Sequence, residues 1–88
     1  MIPVFEPYLD DQDINTVLDA LKKGEISGTF GNYIKDFEKS FAAYCQCEHG
    51  ISVSSGTTAL HLAVAALDLQ PGDEILIGAS TNIATALA

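Results

Sequence analysis

Residues 50–67 read GISVSSGTTALHLAVAAL. A short β-branched run leads into Ser54-Ser55-Gly56-Thr57-Thr58, and an almost wholly apolar run follows. The pattern predicts a strand over 51–54, a turn, and a helix over 57–67. The turn sets small residues and hydroxyls at the head of that helix. There the first backbone N–H groups lack intrahelical acceptors and carry partial positive charge, so the place suits a phosphate. Ser54 or Ser55 reads equally as an ordinary N-cap, and the pattern alone leaves both readings open.

Downstream, Gln70-Pro71-Gly72-Asp73 is a turn signal, and 74–79 reads as a second strand. Ser80-Thr81-Asn82 then opens a helix over 83–88. Strand, helix, strand, helix implies an α/β fold with a parallel sheet and right-handed crossovers. Ligands of such sheets gather beyond the carboxyl ends of the strands, where both hydroxyl-bearing turns fall. Helix capping is again the competing reading for 80–82.

Upstream, Pro3 and Pro7 keep 2–8 extended. Asp10 or Asp11 is placed to cap a first helix, whose apolar stripe is Ile14, Val17, Leu18 and Leu21. Gly24 is its stop, and Lys22 and Lys23 complement the dipole in the last turn. The segment 26–32, ISGTFGN, is a glycine-rich loop. A second helix follows with Ile34, Phe37, Phe41 and Tyr44 on one face. The third helix, over 57–67, is apolar nearly all round and is expected to be covered on several sides, with His61 as a core residue.

The chain has 88 residues, 48% of them hydrophobic and 18% charged, a globular composition. Its net charge of −8 argues against nucleic acid or an anionic membrane as partner. With only four Lys+Arg, a bound phosphate has to rely on N–H groups and hydroxyls. No basic region precedes an apolar run at the start, and no apolar run approaches the length of a bilayer span. Cys45 and Cys47 are too close in sequence for an easy mutual disulfide, which fits a reduced, cytoplasmic setting. Cys45, Cys47 and His49 have the spacing of neither a zinc finger nor a knuckle, so they read as a helix-to-strand corner and no metal is expected. Parallel sheets are normally covered on both faces, which two strands and the stub of a helix cannot achieve, and NIATALA at 82–88 carries no stop signal. The expectation is therefore a single truncated domain over 1–88, the N-terminal piece of a larger protein.

The string SVSSGTTALHLAVAALDLQPGDEILIGAST resembles the start of the large domain of sugar-nucleotide aminotransferases. These are pyridoxal-phosphate enzymes of fold type I, and the perosamine-synthase-like branch is the most similar. IPVFEPYLDDQDINTVLDALKKGEISG resembles that family's opening extended segment, first helix and substrate-side loop. GNYIKDFEKSFAAY resembles its second helix. The resemblance implies a three-layer α/β/α domain of which 1–88 form the N-terminal helices and the first strand–helix–strand unit. It implies pyridoxal 5'-phosphate as cofactor, with Gly56, Thr57 and Thr58 cradling its phosphate and Thr57 as the leading hydroxyl donor. Asn82 stands where many relatives place an aromatic residue against the pyridine ring. Ser27, Gly28 and Thr29 match a substrate-side loop. The Schiff-base lysine of relatives lies downstream, and Lys22, Lys23, Lys35 and Lys39 match no such context, so no catalytic residue is expected within these 88. The implied activity moves an amino group, from a donor such as glutamate, onto a keto-sugar nucleotide, in a homodimer. The alternatives are a non-catalytic regulator on the same fold, a pyridoxal-phosphate-dependent sugar dehydratase, and a free-standing phosphate-binding module.

Overall fold

The computed structural model describes residues 1–28 and 30–88. It divides into two compact units, Met1–Gly50 and Ile51–Ala88.

The first unit holds two helices. α1, Asp11–Lys23, starts where two carboxylates exchange caps: Asp13 N–H donates to Asp10 Oδ1 at 2.8 Å, and Asp10 N–H donates to Asp13 Oδ2 at 3.1 Å. It ends at Gly24, whose φ of 72° is left-handed. There the Gly24 and Glu25 amides donate to Leu21 O and Ala20 O at 3.1 and 2.9 Å, a Schellman closure. α2, Tyr33–Tyr44, stacks Phe37 on Phe41 with ring centroids 5.5 Å apart. Its Ala42 is the one buried hydrophobic residue among those described. The returning chain lies so close to α2 that a Cβ on Gly50 would meet Glu38 O at 2.5 Å and Ala42 Cβ at 3.4 Å.

Three side chains tie α1 to α2. Tyr33 Oη donates to Asp19 Oδ2 at 2.5 Å, and Lys23 Nζ reaches the same oxygen at 2.6 Å while lying 5.7 Å from the centroid of the Tyr33 ring. The hydrogen bond from Lys23, then that from Tyr33, holds the Asp19 carboxyl below its ordinary 3.8. The bond with Asp19 in turn raises Lys23 above 10.5 and Tyr33 above 10.0. A lowered carboxyl contributes stability above its ordinary value and loses it as pH falls through the folded one. A raised lysine or tyrosine contributes below its ordinary value and loses it as pH rises through the folded one. The cluster is therefore complete between about pH 4 and pH 10. Lys23 is exposed and Asp19 and Tyr33 are only half-buried, so solvent screens the cluster and the gain is small. In Asp19→Asn the NMR titration of the Tyr33 ring is expected to move down toward 10.0. An unmoved midpoint would contradict the contact.

The second unit holds α3, Gly56–Ala66, and the single turn α4, Ala84–Leu87, which packs on α3. The strands expected over 51–54 and 74–79 are not formed, and among the described residues the regular elements are all helical. A strand exists by pairing with a neighbour, and these segments have none in a ladder. Exposure nevertheless alternates along Ile75, Leu76 and Ile77, at 53, 98 and 50%. That is the period of a strand with one face against an apolar surface, and Ile75 and Ile77 share a groove with Leu60 and Val64. The covering expected for α3 is also absent. None of its residues is buried, and His61 is exposed rather than in a core. Among the described residues no helix is long and apolar enough to cross a membrane.

Candidate functional site

The head of α3 is built by one residue. Ser55 sits in an extended conformation (φ −161°, ψ 163°) and caps the helix. Thr58 N–H donates to Ser55 Oγ at 3.2 Å, while the Thr58 hydroxyl accepts from Ser55 N–H at 3.1 Å and donates to Ser55 O at 2.8 Å. Of the two serines that qualified as caps, Ser55 is the one used. The cap engages both donors of Thr58, its amide and its hydroxyl.

Gly56 and Thr57 are left differently. Their amides precede the first intrahelical bond, which runs from Ala59 N–H to Ser55 O at 3.0 Å. Neither amide has an acceptor among the described residues, and the Thr57 hydroxyl has no partner there. Gly56 and Thr57 line an open groove of about 450 Å³ with Leu60, Asn82, Ala84 and Thr85. A Cβ added to Gly56 would meet no atom within 4 Å, so the space beside it is empty.

Asn82 faces the same groove from the turn before α4. Its Oδ1 accepts from Ala84 N–H at 2.9 Å, which fixes the carboxamide and leaves the amide hydrogens as donors. Thr81 and Thr85 pair through their hydroxyls at 3.1 Å. The second hydroxyl turn is thus engaged in local bonding. Among the described residues no charged side chain lines the groove. Its attraction for an anion rests on two N–H groups, the Thr57 hydroxyl and the positive end of α3. Three donors around an empty space suit the terminal phosphate of a small molecule, and the neutral Leu60 and Asn82 suit an uncharged ring beside it.

Ser27 and Gly28 lie in the first unit, between α1 and α2. Phe30 N–H donates to Ser27 O at 3.1 Å, and a Cβ on Gly28 would lie 3.6 Å from Ile34 Cδ1. Thr29 lies outside the described residues. Cys45 and Cys47 are exposed thiols, and Cys47 shares an open groove with Lys35, Lys39 and His49. Among the described residues no three metal-ligating side chains gather. The sequence reading missed Glu25. Its carboxylate Oε2 accepts from Asn32 N–H at 2.8 Å and Tyr33 N–H at 3.1 Å.

A model of the DegT/DnrJ/EryC1/StrS aminotransferase family matches residues 7–88. The chain belongs to this family. Among its relatives, the GDP-perosamine synthase of Caulobacter vibrioides is 44% identical over 85 residues, covering 97% of this chain and 23% of that protein. The GDP-perosamine synthase of Vibrio cholerae is 41% identical over 85 residues, with the same coverage of 97% and 23%. A UDP-4-amino-4-deoxy-L-arabinose–oxoglutarate aminotransferase of Shewanella sediminis is 34% identical over 84 residues, covering 96% of this chain and 21% of that protein. The chain thus spans under a quarter of the length of the curated relatives it matches. No solved structure matches it. The resemblance read from SSGTTALHLA and the downstream PGDE is borne out at the level of the family.

Proposed function

We propose that these 88 residues are the N-terminal segment of a cytoplasmic, homodimeric aminotransferase that uses pyridoxal 5'-phosphate to aminate a keto-sugar nucleotide. The observation that carries the reading is the groove at the head of α3, where the Gly56 and Thr57 amides and the Thr57 hydroxyl stand without partners among the described residues. Family membership supports the reaction class. The activities for which the relatives are named, perosamine synthesis and sugar transamination, support a nucleotide-linked sugar over the regulatory and dehydratase alternatives.

When bound, the cofactor supplies the electron sink that transamination needs. The residues of this segment hold and orient it. Gly56 and Thr57 donate to the phosphate at the positive end of α3. Thr58 serves indirectly, because its capping bonds with Ser55 keep the two amides ahead of it aimed outward. Asn82 lies flat against the ring or donates to the substrate. Ser27, Gly28 and Thr29 form the substrate side. The lysine that joins the cofactor lies beyond residue 88, and in this reading 51–54 and 74–79 pair into the parallel sheet of the complete domain.

Absorbance titration of the full-length protein with pyridoxal phosphate tests this. The wild type is expected to bind with a visible band, and to transfer the amino group of glutamate to the GDP-linked keto sugar whose amination gives GDP-perosamine. Removing one donor to a charged group costs about 1.5–3 kcal/mol. Thr57→Val is therefore expected to weaken cofactor binding roughly ten-fold or more. A wild type with no band at saturating cofactor would overturn the proposal.

A further inference from the structure

Glu25 caps two helices at once. Its backbone N–H closes α1 on Ala20 O at 2.9 Å, and its carboxylate accepts from the two leading amides of α2, Asn32 and Tyr33, at 2.8 and 3.1 Å. The N-cap residue of α2 does not do this itself: Asn32 precedes the helix in helical conformation (φ −112°, ψ −20°) and makes no capping hydrogen bond. The carboxylate also sits at the positive end of the α2 dipole. Tyr33 is held twice, at its amide by Glu25 and at its hydroxyl by Asp19. The half-buried Glu25 lies against Gly31, which turns at φ 91° and has its Cβ position occupied by that side chain. One residue therefore holds both the end of α1 that precedes Ser27 and Gly28 and the start of α2 that follows them.

We propose that Glu25 is a positioning residue for the sugar nucleotide, acting as a carboxylate clasp that presets the Ser27–Gly28 loop before substrate arrives. The proposal rests on the aminotransferase reading above for the identity of the substrate and for the place of Ser27 and Gly28 beside it. The clasp itself rests on the three hydrogen bonds. A loop ordered on folding does not have to be ordered again on binding. Losing the clasp then weakens substrate binding and spares the chemical step and the cofactor phosphate.

The test uses the full-length protein and reads two quantities. In Glu25→Ala, KM for the GDP-linked keto sugar is expected to rise roughly ten-fold, with kcat within about two-fold and pyridoxal-phosphate affinity unchanged. Glu25→Gln, which keeps an acceptor but loses the charge, is expected to restore part of the loss. Amide hydrogen exchange of the cofactor-free protein is expected to quicken at Asn32 and Tyr33 in Glu25→Ala, and to stay the same at Ala59 and Ala65 in α3. An unchanged KM in an active enzyme overturns the positioning role. A joint fall in kcat and cofactor affinity in both variants overturns it too, because it marks general damage. A wild type inert with pyridoxal phosphate overturns the aminotransferase reading and removes the substrate. The exchange arm then still decides the clasp, which equal rates at Asn32 and Tyr33 would refute.

Discussion

Gly56→Ala is expected to leave α3 intact and to weaken pyridoxal-phosphate binding by about ten-fold or more. Fold and function separate at this position. The Cβ meets nothing within 4 Å, so packing does not oppose it. Alanine is also the better helix former, so stability should hold within about 0.5 kcal/mol or rise slightly. The added methyl enters the groove onto which the Gly56 and Thr57 amides open. An anion needs close approach to N–H groups, and a methyl beside them lengthens every contact. Urea unfolding and cofactor titration of the full-length variant check the two halves. Wild-type affinity in a stable Gly56→Ala protein would remove the phosphate from this helix end.

Gly31→Ala is expected to cost about 2–3 kcal/mol, against about 1 kcal/mol for Gly24→Ala. Both glycines have left-handed φ, 91° and 72°. Gly24 has open space where its Cβ would stand, so alanine there meets backbone strain alone. At Gly31 the Glu25 carboxylate occupies that place. Alanine must expel it, and the amides of Asn32 and Tyr33 lose their acceptor. Denaturant midpoints of the two variants measure the difference. Equal losses would show that the carboxylate contributes nothing beyond the turn.

The parts of the fold that are legible in the sequence are those settled within a few residues. Asp10 and Asp13 cap α1 by exchange across three positions, Gly24 stops it, and Ser55 with Thr58 does the same for α3. Each is a local bargain between a short side chain and nearby amides. The strands were legible as pattern only. Their formation needs pairing partners far away in sequence, and 51–54 and 74–79 keep the alternation without the ladder. For the same reason the apolar α3 is read from its composition as covered, while none of its residues is buried here.

The candidate site was legible to the level of the turn. Gly56, Thr57 and Asn82 come together in one groove. Which threonine is free is a matter of one position. Thr58 stands third in the helix, where its hydroxyl reaches back to Ser55, and Thr57 stands second, where it cannot. Glu25 was illegible because its bond to Tyr33 spans eight residues and exists only when Gly31 turns left-handed. No local pattern signals a contact that depends on how a loop closes.

The most direct measurement compares pyridoxal phosphate with pyridoxal, its phosphate-free form, as ligands of the full-length wild type and of Thr57→Val. If α3 holds the phosphate, the wild type prefers pyridoxal phosphate by about a hundred-fold or more, and the variant narrows that preference roughly ten-fold by losing affinity for the phosphorylated form alone. The same preference in both proteins would place the phosphate elsewhere and contradict the account.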